Sequence, residues 1–265
     1  MKKRILSLIL ALSMVLSVLP LGAFAEGSTG ELVMDENGYP VGTTGDGWAY
    51  INDTLSLTSG TFDFSSTHPQ GGGEKTTTPV ACAIVIESGA TITGGIFTGG
   101  SFEQEVTNYG TISGGTFQET CSVINWSTIE NGTFSGTVQN TSGGRISGGT
   151  FSKTVQNVSG EISDGTFQST CSVTNNNTIS GGTFEGTVTN NSTISGGTFA
   201  SSVKNNGMIS GGTFKKKVEN TGGMISGGVF NGNETQKPTK DAYTITLDTA
   251  TVRITEVNDV SVDEL

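Results

Sequence analysis

One histidine, three cysteines, five prolines and a charged fraction of only 14% in 265 residues exclude much of what a chain of this length could be. Five Pro cannot sustain a Gly-X-Y triplet, which removes a collagen helix despite the 40 Gly. A coiled coil needs far more Ala, Glu, Lys and Leu, and a disordered acidic tail would not place thirteen Phe at regular positions. Cys82, Cys121 and Cys171 lack C-x-x-C spacing, and the lone His68 sits before Pro69 in a Gly- and Thr-rich loop, residues 68–79. Neither a zinc site nor a nucleophile–His pair has its partners, so no metal, cofactor or catalytic residue is expected. What remains is an all-β chain of small, turn-forming and Thr-type residues.

Long apolar runs are confined to the start. Lys2, Lys3 and Arg4 precede an apolar stretch, residues 5–19, and Ala23, Phe24 and Ala25 form a small-x-small cleavage site, so residues 1–25 read as a signal peptide. This predicts export to the cell surface or the extracellular space. No second run of spanning length follows, so no membrane span is expected after the signal is removed.

Without residues 1–25, ten bases face 24 acids, a net charge of −14. Residues 92–230 are nearly balanced, with eight acids and six bases, and only Lys215, Lys216 and Lys217 cluster. A nucleic-acid partner needs a basic face to neutralise phosphates, and none is written here.

The decisive feature is a repeat. A hexapeptide of the form Ile-Ser-Gly-Gly-Thr-Phe begins at Ile92, Ile112, Ile129, Ile146, Ile162, Ile179, Ile194, Ile209 and Ile225, in steps of 20, 17, 17, 16, 17, 15, 15 and 16 residues. Between copies lies Val-x-Asn, ending at Asn108, Asn125, Asn140, Asn157, Asn175, Asn190, Asn205 and Asn220. Such a unit is too short for a propeller blade or a helix pair. Each therefore reads as one coil of a single-stranded parallel β-solenoid with about nine regular coils and β caps. Right-handed winding is the default for parallel crossovers. At about 4.8 Å per rung the rod is roughly 43 Å long.

Val and Asn, two apart, share a side of a strand, whereas Ile and Phe, five apart, would face opposite ways on a straight one. The Gly-Gly pair between them allows a bend that returns Phe to the interior. Each coil then buries Ile, Phe and Val, and the Asn form an inward ladder of amides stacked rung on rung. A turn residue in the left-handed region is the competing reading of the same Asn. Asp164, which replaces a Gly in the hexapeptide, reads as a turn residue. Cys121 and Cys171 occupy equivalent corners three rungs apart, about 14 Å, beyond the reach of a disulfide, and are expected to be free and partly buried.

The flanks set the boundaries. Residues 26–91 read as an N-terminal cap with irregular first coils, in which Ser59, Gly60, Thr61 and Phe62 echo the repeat. Residues 92–235 are the regular solenoid, and residues 236–265 a strand-rich tail or cap with alternating segments at 243–247 and 251–255.

The ISGGTF coils, with the lead-in GDGWAY…TLSL and then AIVIESGATI, resemble exported GGTF-repeat β-helix proteins of clostridia-like Gram-positive bacteria, in the wider pectate-lyase-like superfamily. That resemblance implies the architecture, and a glycan-facing surface of the adhesin or carbohydrate-binding type. Its lyases and hydrolases need clustered carboxylates, which the coils lack; a carbohydrate-active enzyme is thus the alternative to a non-catalytic binder. Thr before Phe in seven hexapeptides also raises ice binding, although β-propensity accounts for the rank.

One surface stands out. Directly after the ladder Asn come Tyr109, Trp126, Thr141, Val158, Asn176, Asn191, Asn206 and Thr221, so the two aromatics fall on consecutive rungs of one corner. Side by side and outward, Tyr109 and Trp126 would make a platform on which a sugar face stacks; rings that only cover the corner or touch each other are the competing reading. The expected function is an exported, non-catalytic structural or adhesive solenoid that binds glycans, whether polysaccharide or cell-surface or host glycan, or other surface partners.

Overall fold

A computed structural model describes residues 32, 34–64, 80–97, 105–231, 243–247 and 250–254. The signal-peptide reading and the loop around His68 lie outside these residues. Every regular element among them is a strand, and among these described residues no helix is long and apolar enough to cross a membrane.

The solenoid forms because the repeat pairs with itself in register. In one parallel sheet Val106, Val123, Val138, Val155, Val173, Val188, Val203 and Val218 lie rung on rung, each with its Asn two residues on. A second sheet carries both halves of the hexapeptide, Ile over Ile and Phe over Phe. The Phe rank runs through nine rungs, Phe97, Phe117, Phe134, Phe151, Phe167, Phe184, Phe199, Phe214 and Phe230.

The bend falls where the glycines are. Pairing between Arg145–Phe151 and Glu161–Phe167 slips between Ile146 and Ser147 and again before Thr150, and Gly149 adopts φ +98°. This slip turns Phe151 back to the side of Ile146, and both are buried. Ser147 completes the bend by donating its hydroxyl to the Ile129 carbonyl one rung back, 3.2 Å away.

Three apolar columns follow. The Phe rings stack along the axis with centroids 4.5–4.9 Å apart and planes within 6–15° of parallel, so each inner ring is covered on both faces. Ile and Val columns fill the remainder.

At the N-terminal end, Thr44–Gly45, Trp48–Ile51 and Thr54–Leu57 form an antiparallel meander, and the last of these pairs in parallel with Ala83–Ile86. The meander leaves only a two-residue strand at the sheet edge, a short edge that offers little to another chain. The echo at residues 59–62 departs from the repeat's own register. Phe62 pairs with Ile92 and so continues the Ile column, while Phe64 meets Phe97 edge-on at 5.6 Å and begins the Phe column. The reason is spacing: only one residue separates these two Phe, with no Gly-Gly bend between them.

Asp164 also departs from expectation. It is a strand residue rather than a turn residue, lying inside the continuous strand Glu161–Phe167 and paired with Ser147 of the rung before. Its Oδ1 accepts the Gly165 N–H at 2.8 Å, which satisfies a backbone donor beside the register slip. Tyr243–Leu247 and Ala250–Ile254 pair as an antiparallel hairpin in a sheet of their own.

Candidate functional site

The corner that follows Val-x-Asn is built from two amide ladders back to back. Asn108, Asn125, Asn140, Asn157, Asn175, Asn190 and Asn205 are fully buried, and each Nδ2 donates to Oδ1 of the next Asn at 2.7–2.9 Å, ending at half-buried Asn220. The second proton of Nδ2 reaches a backbone carbonyl, of the same corner as from Asn175 to Asn177 at 3.2 Å or of the next rung as from Asn157 to Thr178 at 3.1 Å. Among the described non-glycine residues only Asn52 and Asp53 have positive φ, so the ladder Asn are not left-handed turn residues. The side chains of Asn125 and Asn140, which fall in N-x-Ser/Thr form, are committed to this interior.

One residue further along, the chain faces solvent. Here Asn206 donates to Asn191, and Asn191 to Asn176, both at 2.8 Å, with Thr221 hydrogen-bonded to Asn206. This outer ladder runs in the opposite sense to the inner one. Its signal in the sequence is the doubled Asn at 175–176, 190–191 and 205–206, whose second member reads as a loop residue when taken alone.

At the other end of the same corner the amides give way to rings. Trp126 stacks beside Tyr109 with centroids 6.2 Å apart and planes 24° from parallel. The backbone N–H of Trp126 donates to the Asn108 carbonyl at 2.8 Å, which fixes the two residues on adjacent rungs. Trp126 is 41% exposed and Tyr109 half-buried. Burial raises the Tyr109 phenol, with Glu87 and Glu105 adding to the shift, so it remains a neutral hydrogen-bonding group at neutral pH. Thr141 is tucked in, its hydroxyl donating to the Asn125 carbonyl at 2.7 Å, and Val158 is exposed beyond it.

The other surfaces are plainer. Shallow grooves of about 450 and 540 Å³ follow the Gly-Gly bends, the first lined by Gly115, Thr116, Gly132 and Thr133, the second by Gly197, Gly212, Thr213 and Val229. The Thr before Phe are in register from Thr116 to Thr213, whereas the rank before Ile is interrupted by Arg145, Glu161, Met208 and Met224. Among the described residues, Arg145 with Glu161 at 3.3 Å and Lys153 with Glu119 at 3.4 Å form exposed ion pairs. Among the described residues no three His, Cys, Asp or Glu side chains converge on a point that would hold a metal ion.

Cys82, Cys121 and Cys171 are free thiols, and burial pushes the pKa of each up to about 12. Cys121 and Cys171 are fully rather than partly buried, each at a corner where a glycine of the next rung, Gly136 or Gly186, packs closely against the Cys carbonyl.

The corner thus joins an aromatic pair, an exposed Val and a line of paired amides along one edge of the rod. Comparison of the chain with protein-family models, with curated proteins and with solved structures gives no match.

Proposed function

We propose that this chain is an exported, non-catalytic structural and adhesive β-solenoid that binds polysaccharide or cell-surface glycan at the Tyr109–Trp126 corner. The observation that carries this reading is the near-parallel, partly exposed pair of rings on consecutive rungs. Sugar rings present C–H faces that pack on aromatic surfaces, and Trp contributes large contact area at low conformational cost. A glycan strand lying along the corner would pass from the rings to the amide-bearing rank at Asn176, Asn191 and Asn206, where its hydroxyl groups meet both donors and acceptors. The resemblance to pectate-lyase-like β-helix proteins of clostridia-like bacteria supports a glycan-facing role by analogy of architecture. Export rests on the N-terminal signal sequence.

The test is a glycan array followed by titration of the best ligand against the parent chain and the Tyr109→Ala/Trp126→Ala variant. Binding weakened tenfold or more with unchanged melting supports the site. Full affinity in the folded variant removes it. Release of unsaturated or reducing sugars by the parent chain would favour the carbohydrate-active enzyme instead.

A further inference from the structure

The two ends of the solenoid are finished differently. In the Val–Asn sheet the N-terminal end is extended by the antiparallel meander, but Val218–Asn220 closes the order of the same sheet, and the last rung leaves Met224, Val229 and Phe230 exposed. Phe230 stacks on Phe214 at 4.9 Å through one face and is 40% exposed, whereas the inner Phe of the rank are buried. A parallel stack that stops in this way offers both peptide groups and apolar side chains to whatever can reach them.

We propose that the chain's own C-terminal hairpin, Tyr243–Leu247 with Ala250–Ile254, docks on this last rung and seals it. Three observations lead there. The hairpin register pairs Tyr243 with Ile254, Ile245 with Val252 and Leu247 with Ala250, so strand alternation places these six apolar positions on one face and Thr244, Thr246, Thr251 and Arg253 on the other. A lone two-stranded hairpin is marginal in water and needs a surface against its apolar face. Reach is sufficient, because residues 232–242 span up to about 36 Å when extended. Charge is complementary: residues 232–265 carry seven acids and three bases, and the last coil presents exposed Lys215, Lys216 and Lys217.

A second copy is the competing occupant, since the described residues between 32 and 97 contain six acids and no base and would suit the same lysines. The tether decides between them. A covalently linked hairpin acts at an effective concentration in the millimolar range, well above that of a second copy in dilute solution. The hairpin therefore keeps the rod from joining end to end.

The experiment compares three proteins by hydrogen exchange with mass spectrometry and by sedimentation: the full chain, a chain ending at Gln236, and the full-length Ile245→Asp/Val252→Asp variant. Docking requires that amides at residues 224–231 exchange at least tenfold faster in both altered proteins, and that these proteins associate with rising concentration while the full chain stays monomeric. If the shortened chain does not fold, the double variant decides alone. Equal exchange in the full chain and the double variant overturns the proposal. Protection of the last rung only at concentrations where the full chain dimerises also overturns it, and makes the second copy the occupant.

Discussion

Ile146 and Phe151 lie five residues apart on one strand and are both buried on the same side of it. The geometry that allows this is local. Gly149 has φ +98°, and a Cβ on Gly148 would clash with the Glu130 carbonyl oxygen of the rung before. One glycine is needed for its torsion and the other for close approach.

Alanine at these two positions should separate the two effects. Gly149→Ala should cost about 1–3 kcal/mol as backbone strain. Gly148→Ala should cost about 3 kcal/mol or more, because the obstacle is backbone and not a side chain that can swing away. Urea midpoints at constant slope give both values. Neutral substitutions would place the bend elsewhere.

The Phe column should show its dependence on neighbours. Phe167 is held between Phe151 and Phe184, at 4.9 and 4.5 Å, and Phe167→Ala should cost about 3–5 kcal/mol. In the chain ending at Gln236, which has no hairpin to cover the last rung, Phe230→Ala at a position with one neighbour in the column should cost about 1–2 kcal/mol. Equal losses at both sites would mean that Phe230 is as well covered as Phe167.

In the inner ladder, Asn175→Ala deprives the Asn190 Oδ1 of its donor and the Asn157 Nδ2 of one acceptor. A loss of about 3 kcal/mol is expected. Because the two amides share one hydrogen bond, Asn175→Ala with Asn190→Ala should cost less than the sum of the single changes, by about 0.5–3 kcal/mol. Asn191→Ala in the exposed ladder should stay within about 0.5 kcal/mol of the parent. Thermal melting of the four variants distinguishes the ladders.

The thiols set an alkaline limit. Burial raises Cys82, Cys121 and Cys171 from about 9.0 to about 12, so the unfolded chain ionises first as pH rises. Their contribution is complete below pH 9 and is lost progressively between pH 9 and 12. Melting temperature should fall across that window, and fall less in the Cys82→Ala/Cys121→Ala/Cys171→Ala variant, which leaves tyrosine ionisation in place. A thiol reagent at about pH 8 should modify the folded chain only as fast as it opens.

Much of the architecture is legible in the repeat itself. Like residues at a fixed step specify like-on-like pairing, and the two lengths between Ile, Phe and Val locate the bends without coordinates. The N-terminal register is not legible in the same way: Phe62 resembles the hexapeptide Phe by sequence, yet pairs with Ile92 because no glycine pair precedes it. Asp164 sits in a Gly position of the hexapeptide and reads as a turn, yet it pairs with Ser147 inside a strand, because the slip in register absorbs the bend there. At the corner, sequence places Tyr109 and Trp126 on adjacent rungs, but the ring separation and the outer amide ladder depend on side-chain torsions that no spacing encodes.

The inner ladder also carries a single bit of information along the whole rod. Every amide points its NH2 toward the following coil, from Asn108, whose Oδ1 is held by the Gly110 N–H, to Asn220, whose Nδ2 donates to the Gly223 carbonyl. Reversing one member, such as Asn157, would set oxygen against oxygen on one side and NH2 against NH2 on the other. Reversing all the amides to one end would not relieve that fault, because each Nδ2 also donates to a backbone carbonyl, as from Asn140 to Gly144 and from Asn157 to Thr178, so the column is a line of dipoles whose direction is fixed at every rung.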